Sequence, residues 1–225
     1  LYQGTVLHEG YPRNSVFFDQ EHGKLLKETL GYQDCQLSVY MPTFRGHTDD
    51  VEGDTYVEQV RRYLEVLDQG MQDNQILLLK LHPLVQKGLD LDSYHHIRPF
   101  PSELDTYDVL NACDVLITDY SSVMYDFANT GRKIILFAYD LEDYMGHRGM
   151  YEDIRSYPFP IVRTPEALLA ELRNPGGSAD REFLDKYCSF DRQQAARNIC
   201  RHVLLGKYLC QEHRMPVTTK KKVLL

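Results

Sequence analysis

Apolar residues follow two rhythms along this chain. Short dense runs rich in β-branched side chains alternate with longer stretches whose apolar positions recur every three or four residues. Dense short runs suit strands buried on both faces of a parallel sheet, and the 3.6-residue rhythm suits amphipathic helices. Strands are predicted at 36–40, 75–81, 95–100, 114–118 and 133–138, with a short sixth at 160–162. Helices are predicted at 55–69, 103–112, 122–130, 181–187 and 192–209, and from Pro165 behind a Thr164 cap. An earlier helix, capped by Asn14 or Ser15, runs to about Leu30 and buries Phe17, Phe18, Leu25, Leu26 and Leu30. Residues 49–54 read as an acidic loop, and 140–153 as a long polar and aromatic loop of a size that is usually functional. The alternation predicts an α/β fold, a Rossmann-like parallel sheet flanked by helices. The division expected is an interdomain segment and linking helix at 1–35, a Rossmann-like domain at 36–213 and a basic tail at 214–225.

The run at 114–126 organises the rest. Val115, Leu116 and Ile117 make a buried strand, Thr118, Asp119 and Tyr120 end it, and Ser121 and Ser122 stand where a helix should begin. Val123, Met124 and Phe127 give that helix an apolar face, and Gly131 closes it. In open α/β sheets ligands bind outside the carboxyl ends of the strands, and a helix start there offers N–H groups to phosphate. Two hydroxyls add donors. Locally, Ser-Ser reads equally well as a simple cap, and Asp119 as a metal ligand or phospho-acceptor. Arg45 follows the first strand and is placed to meet an anion or to lie solvated in its loop. His82 stands at the end of the second, with Pro83 pinning the turn after it.

Composition narrows the classes. Lys and Arg number 25 against 33 Asp and Glu, so the net charge is −8, which argues against nucleic-acid binding. Cys35, Cys113, Cys188, Cys200 and Cys210 are scattered and read as reduced thiols of a cytosolic protein, not as a disulfide frame or zinc site. No run approaches the roughly 18 apolar residues of a membrane span, and no secretory signal is present. The sequence starts at Leu1 and reads as part of a longer protein. Lys220, Lys221 and Lys222 read as a solvated tail with a weak attraction to anionic membrane.

Several motifs then occur in a fixed order: Gly10-Tyr11-Pro12-Arg13-Asn14, Pro42-Thr43-Phe44-Arg45, Lys80-Leu81-His82-Pro83, and Asp119-Tyr120-Ser121-Ser122 with Asp126. Tyr139-Asp140-Leu141-Glu142-x-Tyr144 follows, then Arg148-Gly149. Together they resemble the CDP-glycerol glycerophosphotransferase family, the teichoic acid primases and polymerases, over nearly the whole chain. The resemblance implies the carboxyl-terminal, donor-binding half of a GT-B fold. The reaction it implies passes glycerol phosphate from CDP-glycerol to a teichoic-acid-type hydroxyl and releases CMP. His82 is the catalytic residue it implies, on the phosphate bearing the leaving oxygen. Ser121, Ser122, Arg45 and Arg148 would hold the diphosphate, Asp119 would orient a cation, and Asp126 would do likewise or meet the ribose. Backbone groups at Ile97, Arg98 and Pro99 would read the base. The base that activates the acceptor is expected in an amino-terminal domain outside this sequence, so the fragment alone would bind donor with little or no activity. No cofactor or metal is required on this reading, although magnesium could screen the diphosphate. CDP-glycerol or CDP-ribitol would be the donor. A lipid-linked acceptor would place the parent protein at the inner face of the cell membrane, peripherally attached. A nucleotide-sugar glycosyltransferase domain and a non-catalytic interaction domain are the alternatives.

Overall fold

Six dense apolar runs become six parallel strands. The computed structural model describes residues 5–45, 53–147, 152–174, 176–207 and 211–214. It opens with β1 (Thr5–His8), a 3-10 segment (Pro12–Phe18) and α1 (Gln20–Thr29). There follow β2 (Gln36–Tyr40), α2 (Gly53–Gly70), β3 (Gln75–Leu79), α3 (Pro83–Gln86), β4 (Ile97–Pro99), α4 (Thr106–Ala112), β5 (Val115–Thr118) and α5 (Val123–Ala128). The chain continues through β6 (Lys133–Phe137), α6 (Leu141–His147), β7 (Ile161–Val162), α7 (Pro165–Arg173), α8 (Arg181–Tyr187), α9 (Ala195–Leu205) and β8 (Gln211–Arg214).

The large sheet has the order β4-β3-β2-β5-β6-β7, with every neighbouring pair parallel. Counted from β2, this is the 3-2-1-4-5-6 order of the Rossmann fold, which reverses direction between β2 and β5. The strands are apolar on both faces because helices cover both. On one face Leu37, Val39 and Leu116 pack with Leu110 of α4, Phe127 of α5 and Phe17. On the other, Leu77, Leu79, Val115 and Ile117 pack with Val60, Leu64 and Leu67 of α2 and Leu168 of α7. A separate antiparallel ribbon pairs β1 with β8, so the end of the described chain returns to its beginning.

Several expected elements differ. The helix of 14–30 is broken at Asp19, whose carboxylate caps α1 by accepting the His22 N–H. Asn14 is buried and used in side-chain bonds instead of capping, while Phe18 and Leu25 are exposed. Residues 12–29, expected to link domains, pack against α4, α5 and α9, with Phe17 in the core. The helix of 103–112 starts only at Thr106, because Asp105 accepts the Tyr107 N–H as its cap. The loop of 140–153 contains α6, favoured by Glu142 and Asp143 in its first turn. Of the acidic loop at 49–54, Gly53 and Asp54 already belong to α2, and the rest lies outside the described residues, as do Arg148 and the lysine tail. Among the described residues no helix is long and apolar enough to cross a membrane.

Candidate functional site

The strand order reverses between β2 and β5, and the chain segments that leave these two strands are tied together. The Met41 N–H donates to the Ile117 carbonyl, and the Thr118 hydroxyl donates to the Met41 carbonyl at 2.7 Å. Asp119, fully buried, accepts from the Thr43 N–H at 2.9 Å, the Thr43 hydroxyl at 2.8 Å and the Tyr120 N–H at 2.6 Å. Arg45 closes the set with Nη2 2.7 Å from Asp119 Oδ2. A buried carboxylate is tolerated only when paired and hydrogen-bonded, and Asp119 is both. Its oxygens are thereby occupied, which leaves little coordinating capacity for a metal. Among the described residues no group of three His, Cys, Asp or Glu side chains is placed to hold one.

Arg45 is shared. Its Nε lies 2.6 Å from Asp140 Oδ2, Nη2 donates to Asp140 Oδ1 at 3.1 Å, and Nη1 donates to the Thr43 carbonyl at 2.6 Å. The rings of Tyr120, Tyr139 and Tyr144 surround the guanidinium at 5.0, 5.7 and 5.5 Å. Tyr144 of α6 stacks on Tyr120 at 3.8 Å, and the Tyr120 hydroxyl donates to Asp140. Burial pushes the Arg45 guanidinium down, but the Asp140 hydrogen bond and the Asp119 charge outweigh it and hold it above its ordinary range. Burial likewise pushes Asp140 up, and the Arg45 hydrogen bonds, the Arg45 charge and the Tyr120 hydroxyl bring it net below the ordinary carboxylate range. One cation therefore faces two carboxylates and joins the ends of β2, β5 and β6. Arg45, expected on the diphosphate, has its charge already committed within the protein.

Further polar groups follow the ends of β5 and β3. Ser121 is half-buried, and its Oγ lies 3.5 Å from the Val123 N–H; Ser122 is exposed and makes no cap bond. The expected serine cap is thus weak, because Ser122 itself already has helical backbone angles. His82 is exposed at the end of β3 and stacks on Phe44 at 4.2 Å. Its Nδ1 accepts the Leu84 N–H at 3.4 Å, so the neutral ring carries its proton on Nε2. Lys80, part of the same motif but given no role by the sequence, follows β3 directly, two residues before His82. Its ammonium lies 4.1 Å from the centre of the Phe100 ring, and burial lowers its pKa despite the opposing pull of Asp105. Spacing from His82 was the available signal. Ile97 is buried in β4, an edge strand, and Arg98 folds back onto the carbonyls of Tyr94, His95 and Ile97, with Pro99 ending the strand. Asp126 lies on α5 bound to Arg13, Asn14 and Tyr107, three residues missed as its partners.

The model of the family described as CDP-Glycerol:Poly(glycerophosphate) glycerophosphotransferase matches residues 1–205. The chain belongs to this family. It is 33% identical over 211 residues to the teichoic acid glycerol-phosphate transferase of Staphylococcus aureus, covering 88% of this chain and 54% of that protein. The teichoic acid ribitol-phosphate polymerase TarK of the same organism is 28% identical over 209 residues, covering 87% of this chain and 40% of the relative. Among solved structures, the wall teichoic acid polymerase TagF superimposes with a TM-score of 0.70 at 30% identity, covering 88% of this chain and 51% of that one. A TagF variant soaked with CDPG gives 0.71 at 30% identity over the same shares. The glycerophosphotransferase-family chain described here thus spans about half the length of TagF and of the S. aureus glycerol-phosphate transferase.

Proposed function

We propose that this chain is the donor-binding half of a two-domain GT-B enzyme that passes glycerol phosphate from CDP-glycerol to a teichoic-acid-type acceptor hydroxyl. What supports this is the switch point between β2 and β5, where open α/β sheets take their ligands, in a chain of this family. In the reaction, the acceptor oxygen forms a bond to the phosphorus bearing the glycerol, and the bond from that phosphorus to the CMP oxygen breaks. A diphosphate repels nucleophiles and its leaving half gains charge, so catalysis by positioning and charge stabilisation suits both steps. The serine hydroxyls and the N–H groups of their turn would hold the diphosphate, and the Lys80 ammonium would neutralise it. His82, donating a hydrogen bond through Nε2, would stabilise the charge that gathers on the departing CMP oxygen. Arg45 and Asp119 would shape the turn without gripping the phosphates. Arg148 remains a candidate second cation. Backbone groups of the β4 edge strand, at Ile97, Arg98 and Pro99, would read the base.

The acceptor's proton would pass to a base in a second domain, and the chain alone would bind donor without turning it over. Magnesium, where present, would be held by the diphosphate, since Asp119 has its oxygens engaged. The kinship with glycerol- and ribitol-phosphate enzymes makes CDP-ribitol the second donor to try. A lipid-linked acceptor would set the parent protein peripherally against the inner face of the cell membrane. Calorimetric titration with CDP-glycerol and CMP, with and without EDTA, tests the reading. Binding should persist in EDTA and weaken at least about tenfold, roughly 1.4 kcal/mol, in a Ser121→Ala/Ser122→Ala variant. A folded chain that ignores both nucleotides at millimolar concentration would overturn it.

A further inference from the structure

Asp126 lies on α5, one turn beyond Ser122. Its carboxylate is buried, with a side-chain exposure of 4%, and the side chains of Arg13, Asn14 and Tyr107 converge on it. Arg13 donates from Nε at 3.2 Å and Nη2 at 3.1 Å, Asn14 Nδ2 donates at 2.9 Å, and the Tyr107 hydroxyl donates at 2.9 Å. A second carboxylate, Asp191, holds the same segment from its other side. It accepts from the Tyr11 N–H at 2.8 Å, from Asn14 Nδ2 at 2.8 Å and from Asn129 Nδ2, just past α5, at 2.9 Å. Gly10 has a φ of +37°, and a side chain there would collide with Asp191 and the Phe190 carbonyl, so residues 10–14 fit closely against both carboxylates. Arg13 is stacked 4.5 Å over the Tyr11 ring, which fixes its fork toward Asp126.

We propose that Asp126 is a positioning residue: it clamps residues 11–14 onto α5, so that the seating of that segment sets the geometry of the Ser121–Ser122 turn. A carboxylate that already accepts from three side chains has little acceptor capacity left for a ribose hydroxyl. The clamp is short enough to act. Only three residues separate Ser122 from Asp126, one turn of one helix. A strain placed on residues 10–14 by whatever precedes them would therefore be felt at the serines. The effect on donor binding rests on the function proposed above; the mechanical coupling does not.

Two measurements separate these. Hydrogen exchange of the unliganded chain reads the coupling directly, in wild type, Arg13→Gln, Asp126→Asn and the double variant. Exchange of the peptide over 119–125 should rise about tenfold in each single variant and no further in the double. Arg13 is 45% exposed at its side chain, far-UV circular dichroism of Arg13→Gln checks that the fold is kept, and Arg13→Lys should restore part of the protection. Unchanged exchange at 119–125 in Arg13→Gln, with acceleration confined to residues 11–16, would overturn the clamp. Titration with CDP-glycerol reads the consequence: Kd should rise about tenfold in Arg13→Gln as well as in Asp126→Asn. Weakening by Asp126→Asn alone would make Asp126 a direct ligand and overturn the proposal. Absence of binding by wild type would fail the donor reading, leaving the exchange result to decide the clamp by itself.

Discussion

At the scale of single residues, the site is governed by which charges are already satisfied. Arg45 meets two carboxylates inside a ring of tyrosines, so removing it takes the countercharge from both, Asp119 being fully buried. Arg45→Met should destabilise the fold by about 3–5 kcal/mol in urea unfolding, the usual cost of orphaning a buried ion-pair partner. Arg45→Lys should recover only part of this, because an ammonium cannot reproduce the fork that spans Asp119 and Asp140. His82 is the opposite case. It is exposed and carries little of the core, so His82→Ala should leave the melting temperature near wild type while weakening CDP-glycerol binding and slowing transfer in the complete enzyme. A melting-temperature loss as large as that of Arg45→Met would assign His82 to the fold. The motifs made both residues visible in the sequence, but a string of letters does not show that one arginine is enclosed by two aspartates from loops far apart in the chain.

At the scale of elements, α6 ties the crevice to the sheet through Asp140 and Tyr144. The Asp140 carboxyl is held below its ordinary range, so its stabilisation is present above the ordinary carboxylate pKa of about 4 and is lost as pH falls through the folded value. The stability gap between wild type and Asp140→Asn should be on the order of 2 kcal/mol near neutrality and should shrink below about pH 4, measured by thermal melts across pH. The contact between α1 and α4 offers a second check. A side chain at Gly23 would collide with the Asn111 carbonyl oxygen, which also accepts from Arg132. Alanine gains about 1 kcal/mol in helix propensity, yet overpacking against backbone costs about 1–3 kcal/mol, so Gly23→Ala should lower the melting temperature. Element types were readable from periodicity; element ends were not. Asn14 and Ser122 are both good caps by residue type, but tertiary partners claimed the first and the turn geometry displaced the second.

At the scale of the whole molecule, strand order makes the crevice. Residues 41–45 leave β2 between the segments that follow β3 and β5, so Phe44 reaches His82 and Arg45 reaches Asp119. Binding energy drawn from the chain's own donors predicts that chelation leaves CDP-glycerol affinity within about twofold, roughly 0.4 kcal/mol. A larger loss in EDTA would put a metal into the site. By itself the sequence determined the two hydrophobic rhythms, the parallel α/β class, and the motifs that mark the family, because burial on both faces of a sheet and the local chemistry of turns are written in neighbouring residues. Only the tertiary structure decided that Arg45 is neutralised from within, that Asp126 is bound by Arg13, Asn14 and Tyr107, and that His82 stacks on Phe44 of the β2 loop. Those outcomes depend on contacts across some 20 to 180 positions of chain, from Tyr107 with Asp126 to Tyr11 with Asp191, and no local pattern encodes which buried charge finds which partner.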